Sequence, residues 1–455
     1  MPLVRLFHPR PGPGSRGLTL IRLLLALLLV LLLPATGQAW HLERINWHDA
    51  VSDPRWADML TGGVGQSLAI FDTGIDPDHV MFLDRSVTGE NFASDLPPLN
   101  PPAWRDGNRH GTAVASLAAS NAVTVIGGPD LVGVAPASDL LSMRVLDNQG
   151  SGSFLDINDA LASVIDLIHA GHDIAAVNMS LSTSTTYTDG SQLTGPIATT
   201  FTAHAQALRA LNVPIIAAAG NQGQAMELAF PAIVDDVISV GASDTNDGVS
   251  TFSNRGPALD LYAPGQGLWA AYAGVNPGDA HNAVAQGWAG TSFAAPIVAG
   301  AVPLINELFE HRAGRRPDVD ELLGFLTASG VQIEDTSTGL SAPRLDLHAS
   351  LEAAYLAAAP ARILTGDMNL DGRVDTSDVG PFVTALTNPD AYIAQYGVNP
   401  VLPGDINNDG AFNTADVAPF VALLTGDAPA NVPEPGTAPV LALLGLLALK
   451  RRRRG

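Results

Sequence analysis

Four polar residues stand where the sequence leaves an apolar strand or enters a helix. Asp72 ends the apolar part of "QSLAIFDTGID", and Asn221 follows the buried strand predicted in "VPIIAAAGNQG". His110 precedes Gly111 and a run of small residues typical of a tightly packed helix, and Ser292 opens the apolar run of "AGTSFAAPIVAGAV". A carboxylate, an imidazole, a hydroxyl and an amide are together the parts of an acyl-transfer site.

In such a site Ser292 would attack a carbonyl carbon, and His110 would take the hydroxyl proton and later return it to the leaving group. Asp72 would hold the imidazole in one tautomer. The side-chain amide of Asn221 and the backbone N–H of Ser292 would bind the oxyanion of the tetrahedral intermediate. The four residues therefore predict hydrolysis through a covalent acyl intermediate.

Each of these residues also has a purely structural interpretation. Ser292 could be the cap of a buried helix, because a helix N-terminus needs oxygens for its free N–H groups. Asn221 could be a turn former, since asparagine tolerates left-handed backbone. A histidine beside a glycine is most often a turn or surface residue.

The triplet "DTG" at Asp72 raises a second enzyme class, because aspartic proteases use it. Those enzymes need two carboxylates that share a proton. Residues 335–337 and 375–377 read "DTS", so the chain carries no second copy. A single-chain aspartic protease is excluded, and only an intermolecular dimer would supply the second carboxylate.

Further segments extend the pattern along the chain in a fixed order. They are "GVAPASDLLSMRVLDNQGSG" (133–152), "VNMSLS" (177–182), "FPAIVDDVISVGA" (230–242) and "TFSNRGPALDLYAPG" (251–265). With these segments, and with its catalytic residues in the order Asp, His, Ser, the chain resembles the subtilisin-like serine proteases, or subtilases, over roughly residues 45–355. The resemblance implies an α/β domain with a mostly parallel sheet covered by helices, its site at the carboxyl ends of the strands, and protein or peptide substrates.

The chain departs from the family pattern in three places. Phe293 follows the nucleophile where the family commonly has methionine, and because both are bulky and apolar we expect little effect. The segment after Ser180 lacks the glycines that often line the pocket for the residue before the cut. About 32 residues separate Trp40 from Asp72, too few for the usual folded pro-domain, and "WHLERINWHDA" is predicted to begin the peptidase domain itself.

Composition excludes several classes of function. The chain of 455 residues is 46% hydrophobic and 15% charged, which is typical of a packed globular protein. It has no cysteine, so disulfides, thiolate nucleophiles and cysteine-bound metals are excluded. Residues 40–430 hold 44 acidic and 14 basic residues, and this negative charge disfavours nucleic acid as a partner.

The N-terminus has the features of a secretory signal peptide, predicted over residues 1–39. Four arginines precede or flank the apolar segment "LLLALLLVLLLP", and "ATGQA" offers small residues before a cleavage point after Ala39. An N-terminal membrane anchor is the alternative. Both interpretations place the body of the protein outside the cytoplasm, as a secreted or cell-surface protein.

The C-terminus, residues 431–455, combines "VPEPGT", a short apolar run and "KRRRRG". Thirteen apolar residues are too few to cross a bilayer as a helix. The combination resembles the PEP-CTERM sorting tail, which implies an exosortase-type enzyme as a partner and only transient contact with the membrane. A simple tail anchor is the alternative.

Between linker 357–365 and the sorting tail, two similar stretches follow one another 38 residues apart. Residues 366–430 hold nine aspartates, no glutamate and one basic residue, Arg373. Positions 1, 3, 5, 7, 9 and 12 of each stretch carry the oxygen ligands of a calcium loop, with a backbone carbonyl at position 7. The candidate ligands are Asp367, Asn369, Asp371, Arg373, Asp375 and Asp378 in loop one, and Asp405, Asn407, Asp409, Ala411, Asn413 and Asp416 in loop two.

A set of six or more oxygen ligands favours Ca²⁺ over Mg²⁺. The last ligand is Asp where an EF-hand has Glu, and each loop leads into one short helix, so 366–430 resembles a type I dockerin and implies a small all-α module. Asp/Gly turns without metal are the alternative. The resemblance implies a cohesin-like domain as a possible partner. The apolar residues expected to pair the two loop–helix units are Val374, Val379, Phe382, Val383, Phe412, Val417, Phe420 and Val421.

The sequence thus divides into a signal peptide (1–39), a peptidase domain (40–356), a linker (357–365), a calcium-loop module (366–430) and a sorting tail (431–455). The leading hypothesis is a secreted serine endopeptidase with a calcium-folded tail. A second is a catalytically silent protease fold that serves adhesion or assembly. In a third, the dockerin-like pair is the working part and docks a cohesin in a larger complex.

Overall fold

The computed structural model describes most of the chain between residues 39 and 425. The described ranges are 39–94, 102–125, 128–276, 279–328, 330–358, 364–370, 373–396 and 398–425. Residues 1–38 of the predicted signal peptide, the sorting tail and Asp371 lie outside the described residues. The chain forms two compact units that divide between residues 359 and 360, and each is described by itself.

Fifteen strands are numbered along the described chain. They are β1 (Ser67–Asp72), β2 (Val87–Asn91), β3 (Val123–Thr124), β4 (Asp130–Leu131), β5 (Asp139–Arg144), β6 (Ile174–Met179), β7 (Thr186–Tyr187), β8 (Ile215–Ala218), β9 (Leu228–Ala229), β10 (Val237–Ser243), β11 (Leu261–Pro264), β12 (Gln266–Tyr272), β13 (Ala283–Ala289), β14 (Val331–Asp335) and β15 (Leu340–Arg344).

Nine of these strands form one sheet in the order β14-β15-β11-β10-β8-β6-β1-β5-β2. All neighbours in it pair in parallel except the edge pair β14 and β15, which is antiparallel. The hairpin of β12 and β13 and the short pairs β3–β4 and β7–β9 lie outside this sheet. The expected mostly parallel α/β architecture is confirmed.

The described part of the first unit contains eight helices. They are α1 (Trp40–Arg44), α2 (Trp47–Ser52), α3 (His110–Ala118), α4 (Phe154–His169), α5 (Pro196–Ala210), α6 (Thr291–Ala313), α7 (Val319–Ala328) and α8 (Leu347–Ala357). Trp47 and its neighbours in α1 and α2 pack into the same core as the sheet. Helix α8 continues one residue into the segment predicted as linker.

Both faces of the central strands β1, β6, β8 and β10 are buried, which explains why these strands are nearly continuous apolar runs. In β1, Leu68 and Ile70 pack on the face covered by α3, α6 and α8, while Ala69 and Phe71 pack on the face covered by α4 and α5. Alternate residues of the strand thus enter two different cores.

Helix α6 runs through the core and approaches α3 closely. A Cβ atom at Gly300 would lie 2.5 Å from the carbonyl oxygen of Ala118, so only glycine allows this approach. By length and composition α6 could cross a membrane, but almost all of it is buried within the domain. Its apolar character is that of a core helix.

The second unit is helical. It contains α9 (Val379–Thr387), α10 (Pro389–Tyr396), α11 (Val401–Gly404) and α12 (Val417–Thr425), and a 3-10 turn precedes each of α9 and α12 (Thr376–Asp378 and Thr414–Asp416). Phe382 of α9 stacks on Phe420 of α12 with ring centroids 4.1 Å apart, and Phe412 meets Phe382 edge-on at 5.1 Å. These three phenylalanines pair the loop–helix units as predicted.

Four of the valines that were predicted to pack in this core with the phenylalanines do not pack there. Val379 and Val383 on α9, and Val417 and Val421 on α12, are exposed. The two valines of each helix are four residues apart, so they lie on one exposed strip of its surface. Met368, Tyr392 and Ile406 complete the small core instead, and the Tyr392 hydroxyl donates to the carbonyl of Met368 at 2.8 Å.

Candidate active site

Asp72 and His110 form a direct hydrogen-bonded pair. Asp72 is the last residue of β1 and is fully buried, and His110 is the first residue of α3. The imidazole Nδ1 lies 2.8 Å from Oδ1 and 3.0 Å from Oδ2 of Asp72. The backbone N–H of Thr73 donates to Oδ1 at 2.7 Å. The Asp72 carboxylate is therefore held by the His110 ring and by the Thr73 backbone. Because Nδ1 of His110 is engaged by Asp72, Nε2 is the ring nitrogen that remains to exchange a proton.

The pKa of His110 is raised above its ordinary value. Burial of the imidazole lowers the pKa, but the charge of Asp72, the hydrogen bond to Asp72 and the charge of Asp106 together outweigh it. The site thus stabilises the protonated imidazole. A histidine that must take a proton during a reaction gains from this environment.

Gly111 follows the histidine for a steric reason. A Cβ atom at this position would lie 2.1 Å from the carbonyl oxygen of Gly74 and 3.1 Å from Oδ1 of Asp72. The start of α3 can therefore press against the turn after β1 only with glycine next to His110.

Ser292 is the second residue of α6, whose N-cap is Gly290. The structure does not give Ser292 the helix-capping role, because Gly290 is the N-cap residue and Ser292 lies within the helix. Its carbonyl oxygen accepts a hydrogen bond from Ser180 Oγ at 2.6 Å. The next residue, Phe293, packs against the His110 ring with centroids 5.2 Å apart, which brings the start of α6 beside the imidazole. No hydrogen bond joins Ser292 Oγ to His110 in the described part of the chain.

Asn221 lies beyond the carboxyl end of β8 and is exposed. Its Oδ1 accepts hydrogen bonds from the backbone N–H of Thr291 at 2.8 Å and from Thr291 Oγ1 at 3.0 Å. Because the amide oxygen is engaged, the amide Nδ2 is the end that remains to donate. The structure thus brings Asn221 next to the residue that precedes Ser292.

Sequence reasoning missed three residues that hold this arrangement. Ser180 follows β6 directly, and its hydroxyl accepts from Asn178 Nδ2 at 2.9 Å while it donates to Ser292. Thr291 orients Asn221, and Asp106 caps α3. For Ser180 a signal was available, since it ends a strand parallel to β1 and so must lie at the same sheet edge.

One group of acidic and imidazole side chains near the site could hold a metal by distance alone. Ligand atoms of Asp76, Asp78 and His281 lie within 4.8 Å of one another. However, the guanidinium of Arg105 forms ion pairs with Asp76 and Asp78, each at 2.5 Å, and His281 Nδ1 lies 2.7 Å from Asp76. Arg105 supplies the positive charge that a metal would bring.

The predicted calcium loops have the same backbone form. Leu370 and Asn408, at position 4 of each loop, have φ of 60° and 59°, and Gly410 at position 6 of loop two has φ of 87°. The buried Asp378 and Asp416 at position 12 each accept hydrogen bonds from three backbone N–H groups of their own loop. In both loops, the final aspartate thus holds the beginning and the end of the loop together by hydrogen bonds.

The oxygen atoms that loop two offers as ligands suit a hard cation. Asp405 accepts from the N–H groups of Asp409 and Gly410, so the first ligand is folded over the loop. The side chains of Asn407 and Asp409 meet at 3.0 Å. Carboxylate and amide oxygens are the ligands that Ca²⁺ prefers. Asp371 of loop one lies outside the described residues, so its position is not compared.

Comparison with known proteins adds two family matches. Residues 63–331 match the Subtilase family, which is more than half of the chain, and residues 431–454 match the PEP-CTERM protein-sorting motif. The second match suggests export to the cell surface or the extracellular space.

Curated relatives match the same part of the chain. "Subtilisin-like protease 3" of Pseudogymnoascus destructans is 32% identical over 267 residues, which is 58% of this chain and 58% of that protein. "Intracellular serine protease" of Paenibacillus polymyxa is 34% identical over 269 residues, 56% of this chain and 73% of that protein. "Thermophilic serine proteinase" of Bacillus sp. (strain AK1) is 29% identical over 280 residues, 61% of each. The chain therefore spans about three fifths of the length of two of these relatives and somewhat more of the third.

Proposed function

We propose that this chain, which belongs to the subtilase family, is a secreted serine endopeptidase with Ser292 as its nucleophile. The observation that carries the proposal is the hydrogen bond of 2.8 Å between the buried Asp72 carboxylate and His110 Nδ1. It leaves Nε2 of the imidazole as the base, beside the helix start that carries Ser292. Relatives whose names describe serine proteases support the same activity.

The reaction would proceed in two halves. In the first, Ser292 Oγ bonds to the scissile carbonyl carbon as its proton passes to His110 Nε2, and the imidazolium then protonates the departing amine. The C–N bond breaks and an acyl ester of Ser292 remains. In the second, water gives a proton to His110 Nε2 as its oxygen bonds to the acyl carbon. The ester bond to Ser292 Oγ then breaks, the carboxylic acid leaves, and the proton returns from His110 to Ser292 Oγ. Asp72 holds the tautomer throughout and stabilises the positive imidazolium.

The oxyanion formed in each half would accept two hydrogen bonds. Asn221 Nδ2 and the backbone N–H of Ser292 are the proposed donors. The contacts of Asn221 with Thr291 support this role because they hold the amide in one orientation before substrate arrives. Donors that are already in place need no reorganisation during the reaction.

The catalytic assignment is tested by substitution and by covalent labelling. Ser292→Ala should remove nearly all turnover of a peptide substrate, and Ser292→Ala with His110→Ala should be little slower, because the triad acts as a unit. A serine-directed phosphonate should label the wild type at Ser292. Full turnover in Ser292→Ala would overturn Ser292 as the nucleophile. A wild type that shows no turnover and resists the phosphonate would indicate that the fold serves adhesion or assembly instead.

For the tail module we propose two bound Ca²⁺ ions, one in each loop. The all-oxygen donor sets, the repeated backbone form and the excess of aspartate over basic residues support this proposal. A cohesin-like domain is the proposed partner of the folded module. Capture of a purified cohesin by the full chain in Ca²⁺, and its loss in chelator, would support docking; equal capture in both would contradict it.

For export we propose a signal peptide over residues 1–39 and an exosortase that removes the C-terminal sorting tail. The match of residues 431–454 to the sorting motif supports the second step. The intact mass of the protein from its native host should correspond to a chain that begins near Trp40 and lacks "KRRRRG". A membrane-bound species that keeps residues 431–455 would indicate a tail anchor.

A further inference from the structure

Asp106 is a buried carboxylate to which the proposed mechanism assigns no role. It lies four residues before His110 and is fully buried. Within the described residues it forms no ion pair. A buried charged group without a cation is costly unless hydrogen bonds replace its lost water. The donors around Asp106 are therefore informative.

Five hydrogen bonds converge on this carboxylate. Oδ1 accepts from the backbone N–H groups of Asn108 and Arg109, both at 2.8 Å, and from Thr73 Oγ1 at 2.9 Å. Oδ2 accepts from the backbone N–H of Thr112 at 2.9 Å and from its hydroxyl at 2.7 Å. Four of the five donors come from the turn into α3 and its first residues.

The two hydroxyls also fix the direction of these bonds. Thr73 Oγ1 accepts from the N–H of Gly111 at 3.0 Å, and Thr112 Oγ1 accepts from the N–H of Asp76 at 3.0 Å. Each hydroxyl proton is thus free to point at Asp106. Since Thr73 follows Asp72 directly, the Asp106 carboxylate ties the chain just after Asp72 to the helix start that carries His110.

The backbone before His110 is strained, which shows what this tie holds. Arg109 has φ of 103°, a left-handed conformation that a residue with a Cβ rarely adopts. Such a conformation persists only where its surroundings fix it. The N–H of Arg109 points at Asp106 Oδ1, so the strained residue is held by that carboxylate.

Resting on the proposed serine-protease function, we propose that Asp106 is a positioning residue for catalysis. It holds His110 in line with Asp72, and it is a second negative charge near the imidazolium that forms when Ser292 gives up its proton. Among the described residues, Asp72 on β1 also acts on the ring through its charge. The guanidinium of the neighbouring residue, Arg109, lies over the Tyr272 ring of β12 at 4.7 Å. Helix α6 presents the uncharged Phe293.

The first test measures His110 directly, without turnover. In full-length protein with Ser292→Ala, the imidazole of His110 is titrated by NMR with and without Asp106→Asn. The midpoint should move to lower pH by a fraction of a unit, because a negative charge is lost. Asp335→Asn is the matched control: Asp335 is also buried and hydrogen-bonded, but to Arg255, Ser337 and Thr338. It should leave the midpoint unchanged.

In the active enzyme, Asp106→Asn should lower kcat about tenfold or more with a smaller change in KM, because the imidazole loses its alignment. Should Asp106→Asn fail to fold, Thr73→Val takes its place, with Thr73→Ser as the variant that keeps the hydroxyl. Thr73→Val should lower kcat and Thr73→Ser should restore it. Folded variants with wild-type kcat and a wild-type His110 midpoint would overturn the proposal.

Failure of the proposed function gives a different result. If Ser292→Ala keeps full turnover, the triad assignment is wrong whatever Asp106 does. If Ser292→Ala is inactive but neither Asp106→Asn nor Thr73→Val changes kcat or the His110 titration, the triad stands and the role of Asp106 is wrong.

Discussion

Asn221 Oδ1 accepts two hydrogen bonds from Thr291, one from its backbone N–H at 2.8 Å and one from its hydroxyl at 3.0 Å. Thr291 Oγ1 in turn accepts from the N–H of Gly220 at 3.2 Å. The loop after β8 and the first turn of α6 are thus joined on both sides of the amide. This bond network gives the amide a fixed orientation before any substrate is present.

We therefore predict that Asn221→Ala lowers kcat about 10²–10³-fold, the loss found when such a donor is removed from subtilisin itself, with little change in KM. The donor acts on the oxyanion, which exists in the transition state and not in the bound substrate. Steady-state kinetics on a peptide amide provide the measurement. Gln222→Ala is the control, since Gln222 is the exposed neighbour and donates to the carbonyl of Thr183. A large rise in KM at constant kcat would assign Asn221 to substrate binding instead.

The environment of His110 leads to a prediction about pH. The reaction needs the neutral imidazole. Burial lowers the pKa of His110, but Asp72 and Asp106 raise it by more, so the pKa lies above its ordinary value of 6.5. Activity should therefore fall as the pH drops through a midpoint above 6.5 in a plot of kcat/KM against pH. Asp72→Asn should lower kcat by about 10⁴ because the amide favours the wrong tautomer. A wild-type midpoint at or below 6.5 would contradict this reading of the site.

The buried histidine of α1 predicts a loss of stability in acid. His41 is buried with neither ring nitrogen hydrogen-bonded to described residues, and burial lowers its pKa from 6.5 to about 4. Above pH 6.5 the folded and unfolded chains are both neutral at His41, so it has no effect. Between pH 6.5 and 4 the unfolded chain binds a proton that the folded chain does not, and roughly 3 kcal/mol of the free energy of unfolding is lost.

Urea unfolding of the inactive Ser292→Ala protein at pH 7.5 and pH 4.5 measures this loss. The added change His41→Leu should reduce the difference between the two pH values by most of that amount, because leucine does not titrate. His169→Gln is the control, since His169 is exposed at the end of α4. An equal pH dependence with and without His41 would show that the histidine is protonated in the folded protein.

The sequence predicts the site residues at strand ends better than those held by side-chain contacts. Asp72 and Asn221 could be brought to one edge from sequence because β1 and β8 belong to one parallel sheet, whose carboxyl ends meet. Asp106 could not, because its role depends on hydroxyls 33 and 6 residues away along the chain. No periodic pattern marks such contacts.

In the tail module, too, the sequence predicts only some of the residues that pack in the core. The repeat predicted that Phe382 and Phe420 help to pair the two loop–helix units, and their rings stack on each other. The exposure of Val379 and Val417 did not follow, because apolar type alone does not say which face of a short helix turns inward. Tyr392 fills the space from α10, a helix between the repeats that the loop pattern does not predict.

The last prediction is that Ca²⁺ folds this module. Residues 366–430 hold nine aspartates against one arginine, and so short a chain has a thin margin of stability even before charge repulsion. Metal binding should supply the missing free energy of folding. A fragment of residues 360–430 should show little helix by circular dichroism in chelator and should gain helix with Ca²⁺, and much less with Mg²⁺.

Asp371→Ala combined with Asp409→Ala should abolish that response, whereas Asp390→Ala, on α10 and outside both loops, should keep it. In the full chain the double substitution should leave peptide cleavage by Ser292 nearly unchanged, because the peptidase unit has its own core and its proposed site uses no residue of the tail. A fragment already helical in chelator would contradict the calcium requirement. Loss of peptidase activity in the double variant would show that the two units depend on each other.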